Sequence, residues 1–156
     1  MQSKNNSLES ALEEIGYILI DFKGTSMLPM LKTGRDRVEI YSTNERLKRG
    51  DIALYKRADG TYVLHRVMRV ENDSYVFCGD NHYFLEYGVK DCQILGVMRG
   101  YYKGEKHILL DKSFCYFIYK NTYARYIWLR KVLRFPKAVI KKIFRIGKSN
   151  SDSEKR

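Results

Sequence analysis

Short β-rich runs, each closed by turn-forming residues, constrain this chain more than any other feature. They are YILIDF, DRVEIY, DIALYKR, YVLHRVMRV, YVFC and ILGVMRGYY, starting at Tyr17, Asp36, Asp51, Tyr62, Tyr75 and Ile94. Val, Ile, Tyr and Phe fill them, and Gly, Asp and Asn bound them, which is the composition of paired strands rather than of βαβ units. Asp59-Gly60 lies between two such runs, a two-residue hairpin signal for a type I′ turn with positive φ at both centres. Glu71–Ser74 and Lys103–Glu105 read as two further turns. Residues 7–15, SLESALEEI, read as a short helix with Ser7 as N-cap and Gly16 as its stop. The expected class is mainly β: a sheet-rich barrel or sandwich with a short N-terminal helix.

The period changes near Tyr116. Leu129, Val132, Leu133, Pro136, Val139, Ile140 and Ile143 recur at three- and four-residue steps, with Arg130, Arg134, Lys137, Lys141 and Arg145 on the other side. From Lys120 onward there are 12 Lys/Arg against 2 Asp/Glu, so almost all of the chain's net charge of +11 belongs to this tail. The expected organisation is a β domain over 1–115, a basic amphipathic helical tail over 116–148 and a disordered end over 149–156. A basic face opposite Tyr126, Trp128, Phe135 and Phe144 suits an anionic membrane surface, contacted through residues 120–146. Packing of the apolar stripe on the β domain is the plainer alternative. Nucleic-acid binding is not expected, because the charge comes with no recognised binding motif.

A polar start without an apolar core reads as no signal peptide, and no run reaches the 18 or so apolar residues of a membrane span. The location expected is therefore cytoplasmic or peripheral to a membrane. Cys78, Cys92 and Cys115 are odd in number and lack ligand spacing, so neither a disulfide framework nor a zinc site is expected. No cofactor or metal is assigned.

Within the β runs, GTSMLPML (Gly24–Leu31) places a serine just past a glycine turn. Ser26, His65 and Asp80 follow in order as a possible nucleophile, base and orienting carboxylate. A serine hydroxyl is too weakly acidic to attack unaided, and a carboxylate fixes the tautomer of the imidazole that takes its proton. His82, His107 and Lys56 are rival bases, ranked below His65. Arg66 alternates with His65 along its strand and should face away from the site. Asp51 reads as a turn residue.

The ordered set GTSMLPMLKTGRDRVEI, LKRGDIALYK, YVLHRV and CGDN, from Gly24 to Asn81, resembles the S24/S26 serine peptidase family of signal peptidases and LexA-type proteases. His65-Arg66, where bacterial members have lysine-arginine, is similar to the Ser-His signal peptidase branch. The resemblance implies a coiled antiparallel β-fold with a shallow groove. It implies a serine endopeptidase acting through an acyl-enzyme on an extended peptide or preprotein, with Ser26 as nucleophile, His65 as base and Asp80 completing the site. The family often has serine two residues before the nucleophile, where this chain has Gly24. The oxyanion would then rely on backbone N–H groups, chiefly that of Ser26, with Thr25 as helper. Asp36 would take the part of the family's structural aspartate, leaving Arg35 solvated. Asp80→Asn should then cost turnover more than stability, and His65 should titrate near imidazole's usual 6.5 or so. The alternatives are a non-catalytic module binding membrane or nucleic acid through its tail, or a LexA-like self-cleaving regulator.

Overall fold

A computed structural model describes the backbone of residues 3–127 and the side chains of 8–127. Contacts divide the chain into two compact units, Met1–Ile118 and Tyr119–Arg156. Within the described part of the second unit, the Tyr119 and Tyr123 rings stack and the Ala124 N–H donates to the Tyr119 carbonyl. The stripe from Leu129 to Ile143, Trp128 and the end over 149–156 lie outside the described residues.

The first unit is mainly β. Helix α1 (Ser3–Ile15) is followed by β1 (Tyr17–Asp21), β2 (Asp36–Tyr41), β3 (Ile52–Lys56), β4 (Tyr62–Val70), β5 (Tyr75–Cys78) and β6 (Glu86–Val89). After a single 3-10 turn come β7 (Ile94–Lys103), β8 (Lys106–Leu109) and helix α2 (Phe114–Asn121). The helix starts four residues before Ser7, which is therefore inside it and is no cap. Gly16 does end it, at φ 79° with its N–H on the Leu12 carbonyl.

Every strand pairing is antiparallel, in the order β1-β2-β7-β3-β4-β5-β6, with β8 on β7. Val97 of β7 faces both Tyr41 of β2 and Ala53 of β3, so those strands occupy opposite edges of β7. Extra residues at Leu95, Arg99 and Met68 shift the register of three pairings. Each such bulge bends its strand and increases local twist.

The hairpin between β3 and β4 departs from expectation. Only Gly60 has positive φ, the Gly60 N–H donates to the Arg57 carbonyl, and the Arg57 N–H donates to Thr61. Five residues separate the strands, so this is a longer loop with one left-handed glycine and no type I′ turn. The turns at Glu71–Ser74 and around Gly104 form where expected. Strands β6 and β8 were not read from the sequence.

In its middle β4 is buried on both faces: Leu64, His65, Arg66 and Val67 are all buried. Below them lies a core of Leu47, Ala53, Tyr55, Val67, Tyr75, Phe77, Val89 and Val97. The Phe77 ring stacks on Tyr55 at 4.6 Å between centres. Phe77→Ala should lower the unfolding free energy by about 3–5 kcal/mol, from lost apolar burial plus the cavity left behind. Urea denaturation checks it: an unchanged midpoint would mean that the ring is not part of the core.

Candidate active site

His65 sits in mid β4, opposite Ala53 of β3, and Tyr55 lies two residues further along β3 on the same face. The Tyr55 oxygen is 3.3 Å from His65 Nδ1, and the Tyr55 hydroxyl donates to Glu86 Oε2 at 2.7 Å. A phenol has one proton, and here Glu86 receives it. His65 Nδ1 must therefore carry the hydrogen that reaches Tyr55, which leaves the Nε2 lone pair open. Arg57 holds Glu86 from the other side through Nε and Nη2, at 2.6 and 2.5 Å. Glu86 Oε2 is itself 3.9 Å from His65 Nδ1.

These contacts set the charges. Burial, and then the neighbouring His82, pull the His65 pKa down to about 4, against the opposing pull of Glu86. The Arg57 hydrogen bonds hold the Glu86 carboxyl below its ordinary range. Burial and the Glu86 carboxylate push the Tyr55 phenol up. At neutral pH, His65 is an uncharged imidazole near an ionised carboxylate, with the phenol between them.

The serine loop is anchored by apolar side chains. Met27 and Leu31 are fully buried, and the Leu31 N–H donates to the Met27 carbonyl. Gly24 opens the loop at φ 102°, a conformation that a serine there would adopt only under strain. Its carbonyl accepts from the Thr33 hydroxyl at 2.6 Å, and the Leu28–Pro29 peptide is cis. Ser26 is half-buried. Its carbonyl accepts from the Asn81 N–H at 2.7 Å. Among the described residues, no backbone carbonyl accepts from the Ser26 N–H.

Gly79 shows how closely these parts approach. A Cβ there would lie 2.7 Å from the Ser26 carbonyl oxygen, 3.0 Å from His82 Nδ1 and 3.1 Å from His65 Nε2. The Ser26 carbonyl and His65 Nε2 thus both approach Gly79 too closely for a side chain there.

Asp80 takes a different part from the one expected. Its two carboxylate oxygens accept from Arg66 Nε and Nη2 at 2.8 and 2.7 Å, and both side chains are buried. Arg66 also donates to the Gly50 carbonyl at 2.9 Å and the Tyr116 hydroxyl at 2.8 Å, and its Nη2 is 3.5 Å from Met30 Sδ. Arg66 lies on the other face of β4 from His65, as expected, and is a buried structural centre. The group on His65 Nδ1 is Tyr55, backed by Glu86. Neither was singled out from the sequence, although the β3–β4 register would have put Tyr55 beside His65.

The other candidates fall elsewhere. Lys56 pairs with Glu9 of α1 at 2.8 Å. His107, on β8, bonds Glu39 at 3.0 Å and stacks on Tyr102. Asp51 accepts from the Lys48 N–H, as a turn residue would. Asp36 is buried and accepts from the Lys32 N–H and from Arg35, so Arg35, exposed as expected, is also paired. Although burial opposes it, those bonds hold the Asp36 carboxyl below its usual range. Among the described residues, no helix is long and apolar enough to cross a membrane.

No family model matches the chain, and no curated protein matches it.

Two outcomes follow from this geometry. Asp80→Asn leaves Arg66 buried without its counter-charge, so the unfolding free energy should fall by about 3–5 kcal/mol, measured in urea. A loss well under 1 kcal/mol would show that the pair is not structural. The buried His65 should also make stability depend on pH. The unfolded chain takes up a proton near pH 6.5 or so and the folded one only near 4, so stability should fall as pH drops across that window and stay level above it. The total change is up to about 3 kcal/mol, and His65→Asn should remove it. Identical pH profiles for the two proteins would contradict a low-titrating His65.

Proposed function

We propose that this chain is a serine endopeptidase of the signal peptidase type, with Ser26 as nucleophile and His65 as base. The supporting observation is the close approach at Gly79 of the Ser26 backbone and of a His65 Nε2 whose lone pair the Tyr55 contact leaves open. The ordered motifs from Gly24 to Asn81 favour the same reading.

In the proposed reaction an extended peptide lies against a strand edge, where main-chain hydrogen bonds give affinity and shallow pockets select side chains. By the resemblance, small residues are favoured near the cut. Ser26 attacks the scissile carbonyl as His65 Nε2 takes the hydroxyl proton. The Ser26 N–H donates to the developing oxyanion. His65 then returns the proton to the leaving amine, and water hydrolyses the acyl-enzyme by the same base. Tyr55 keeps the tautomer, and Glu86 stabilises the transient imidazolium through it. Asp80 is a positioning residue: it ties the 79–82 loop, and through the Asn81 N–H the Ser26 carbonyl, to Arg66. The basic sequence of residues 120–146, mostly outside the described residues, would bring the domain to an anionic membrane surface.

Acylation of the chain by a serine-directed probe, with the adduct mapped by mass spectrometry, tests the proposal. The adduct should fall on Ser26 and be absent from Ser26→Ala. Labelling should slow by roughly 10²–10⁴-fold in His65→Ala, the usual worth of a general base. The rate in the native chain should rise with pH through about 4, where His65 loses its proton. Undiminished labelling of a folded His65→Ala protein would remove His65 from the mechanism. No labelling at all would favour an inert binding module.

A further inference from the structure

His82 is unused by the proposed reaction, yet its ring stands edge-on to His65. The ring centres are 5.5 Å apart, with planes at 85°. His82 is held there from two sides. Its ring stacks on Phe84 at 4.6 Å, and its N–H closes the turn back to the Gly79 carbonyl at 2.9 Å. The buried Cys78 Sγ lies within 3.2–3.5 Å of the carbonyls of Gly79, His82 and Phe84, any one of which can accept its single hydrogen.

Two nitrogens on these rings lie close to one position. His65 Nε2 and His82 Nδ1 lie 3.1 and 3.0 Å from the point where a Gly79 Cβ would stand, with the Ser26 carbonyl oxygen 2.7 Å from it. A divalent ion bound about 2.0–2.1 Å from an imidazole nitrogen sits roughly 3.2 Å from that ring's centre. Two imidazoles on one such ion, at angles between tetrahedral and trigonal, then have centres about 5.2–5.5 Å apart. The observed separation agrees. The outer contacts fit as well: His65 Nδ1 gives its hydrogen to Tyr55, which is bonded to Glu86, the kind of backing that orients a metal-ligating histidine.

We propose that His65 Nε2 and His82 Nδ1 form a chelating site for a first-row divalent cation of the zinc class, whose occupancy blocks the base. Among the described residues, no group of three or more His, Cys, Asp or Glu could hold a metal ion. Water therefore completes the coordination, and the ion exchanges instead of serving as a structural staple. The cysteine spacing gave no reason to expect a metal, and this site uses no cysteine. Binding stands on the geometry alone, whereas inhibition rests on the peptidase reading.

The test is equilibrium dialysis of the full chain against zinc chloride at neutral pH, in a Cys92→Ser/Cys115→Ser background that removes the two exposed thiols. One ion should bind. His82→Gln should weaken binding at least 10-fold, and His107→Gln should leave it unchanged. Imidazole NMR signals of the unsubstituted histidines supply a check independent of folding in the variants: zinc should shift those of His65 and His82 and spare His107. With the serine-directed probe, zinc should protect Ser26 in the native chain but not in His82→Gln. Equal zinc binding by native and His82→Gln chains, or no shift at His65 and His82, would overturn the site. Zinc binding in a chain that never acylates would support the site and count against the peptidase.

Discussion

The structure depends on one buried guanidinium. Arg66 is almost wholly enclosed, and burying a charge costs several kcal/mol unless it is paired and hydrogen-bonded. Its compensation comes from four separate segments: Asp80 on the 79–82 loop, Gly50 before β3, Met30 on the serine loop and Tyr116 on α2. The Tyr116 ring also lies under the guanidinium, 5.6 Å from its carbon. Lysine, a point charge without a planar fork, could not engage a carboxylate in two parallel bonds while reaching the other acceptors. The segments that carry the site are thus tied to a single side chain, and none is held by its own loop alone.

This arrangement divides the work between neighbouring residues of one strand. His65 and Arg66 project to opposite faces of β4, so one face carries a candidate base and the other the anchor of the loops around it. An ordinary surface sheet could not bury both. Here mid β4 is covered on each side, and the bulges at Met68 and on β7 bend and twist the strands around it. Burial and site geometry are therefore one problem: a sheet covered on one face alone would expose either Arg66 or His65.

The strands were the most legible part of the sequence. β4 and β5 run from the expected first residue to the expected last, because Val, Tyr and Phe fill them and clear turns bound them. β6, EYGV, escaped notice, since it is four residues long and half exposed with a glycine inside. With it went Glu86, the carboxylate behind His65. Asp80 attracted that role because chain order alone offers a serine, a histidine and an aspartate. Sequence order does not show which of two adjacent residues, His65 or Arg66, an aspartate 14 or 15 positions later will face. Burial decided it: a guanidinium enclosed in the core requires a carboxylate more than a neutral imidazole does. The hairpin turn misled in a smaller way, since Asp59-Gly60 marks the right place but the wrong loop length.

The Tyr55 linkage shapes any reaction at this site. A carboxylate bonded directly to Nδ1 meets the imidazolium charge at hydrogen-bond distance. Here Glu86 stands 3.9 Å away and shares its charge with Arg57, while burial and His82 both work against a positive His65. The imidazole consequently remains neutral and able to accept a proton over a wide pH range, but each proton it takes is held weakly. A base of low proton affinity abstracts reluctantly from serine and donates readily to a leaving amine. In the proposed reaction this shifts the difficulty toward the first attack, the step that also lacks a serine hydroxyl at position 24 to share the oxyanion. That reaction would go best on a peptide already held in place, because positioning can supply much of what a weak base cannot.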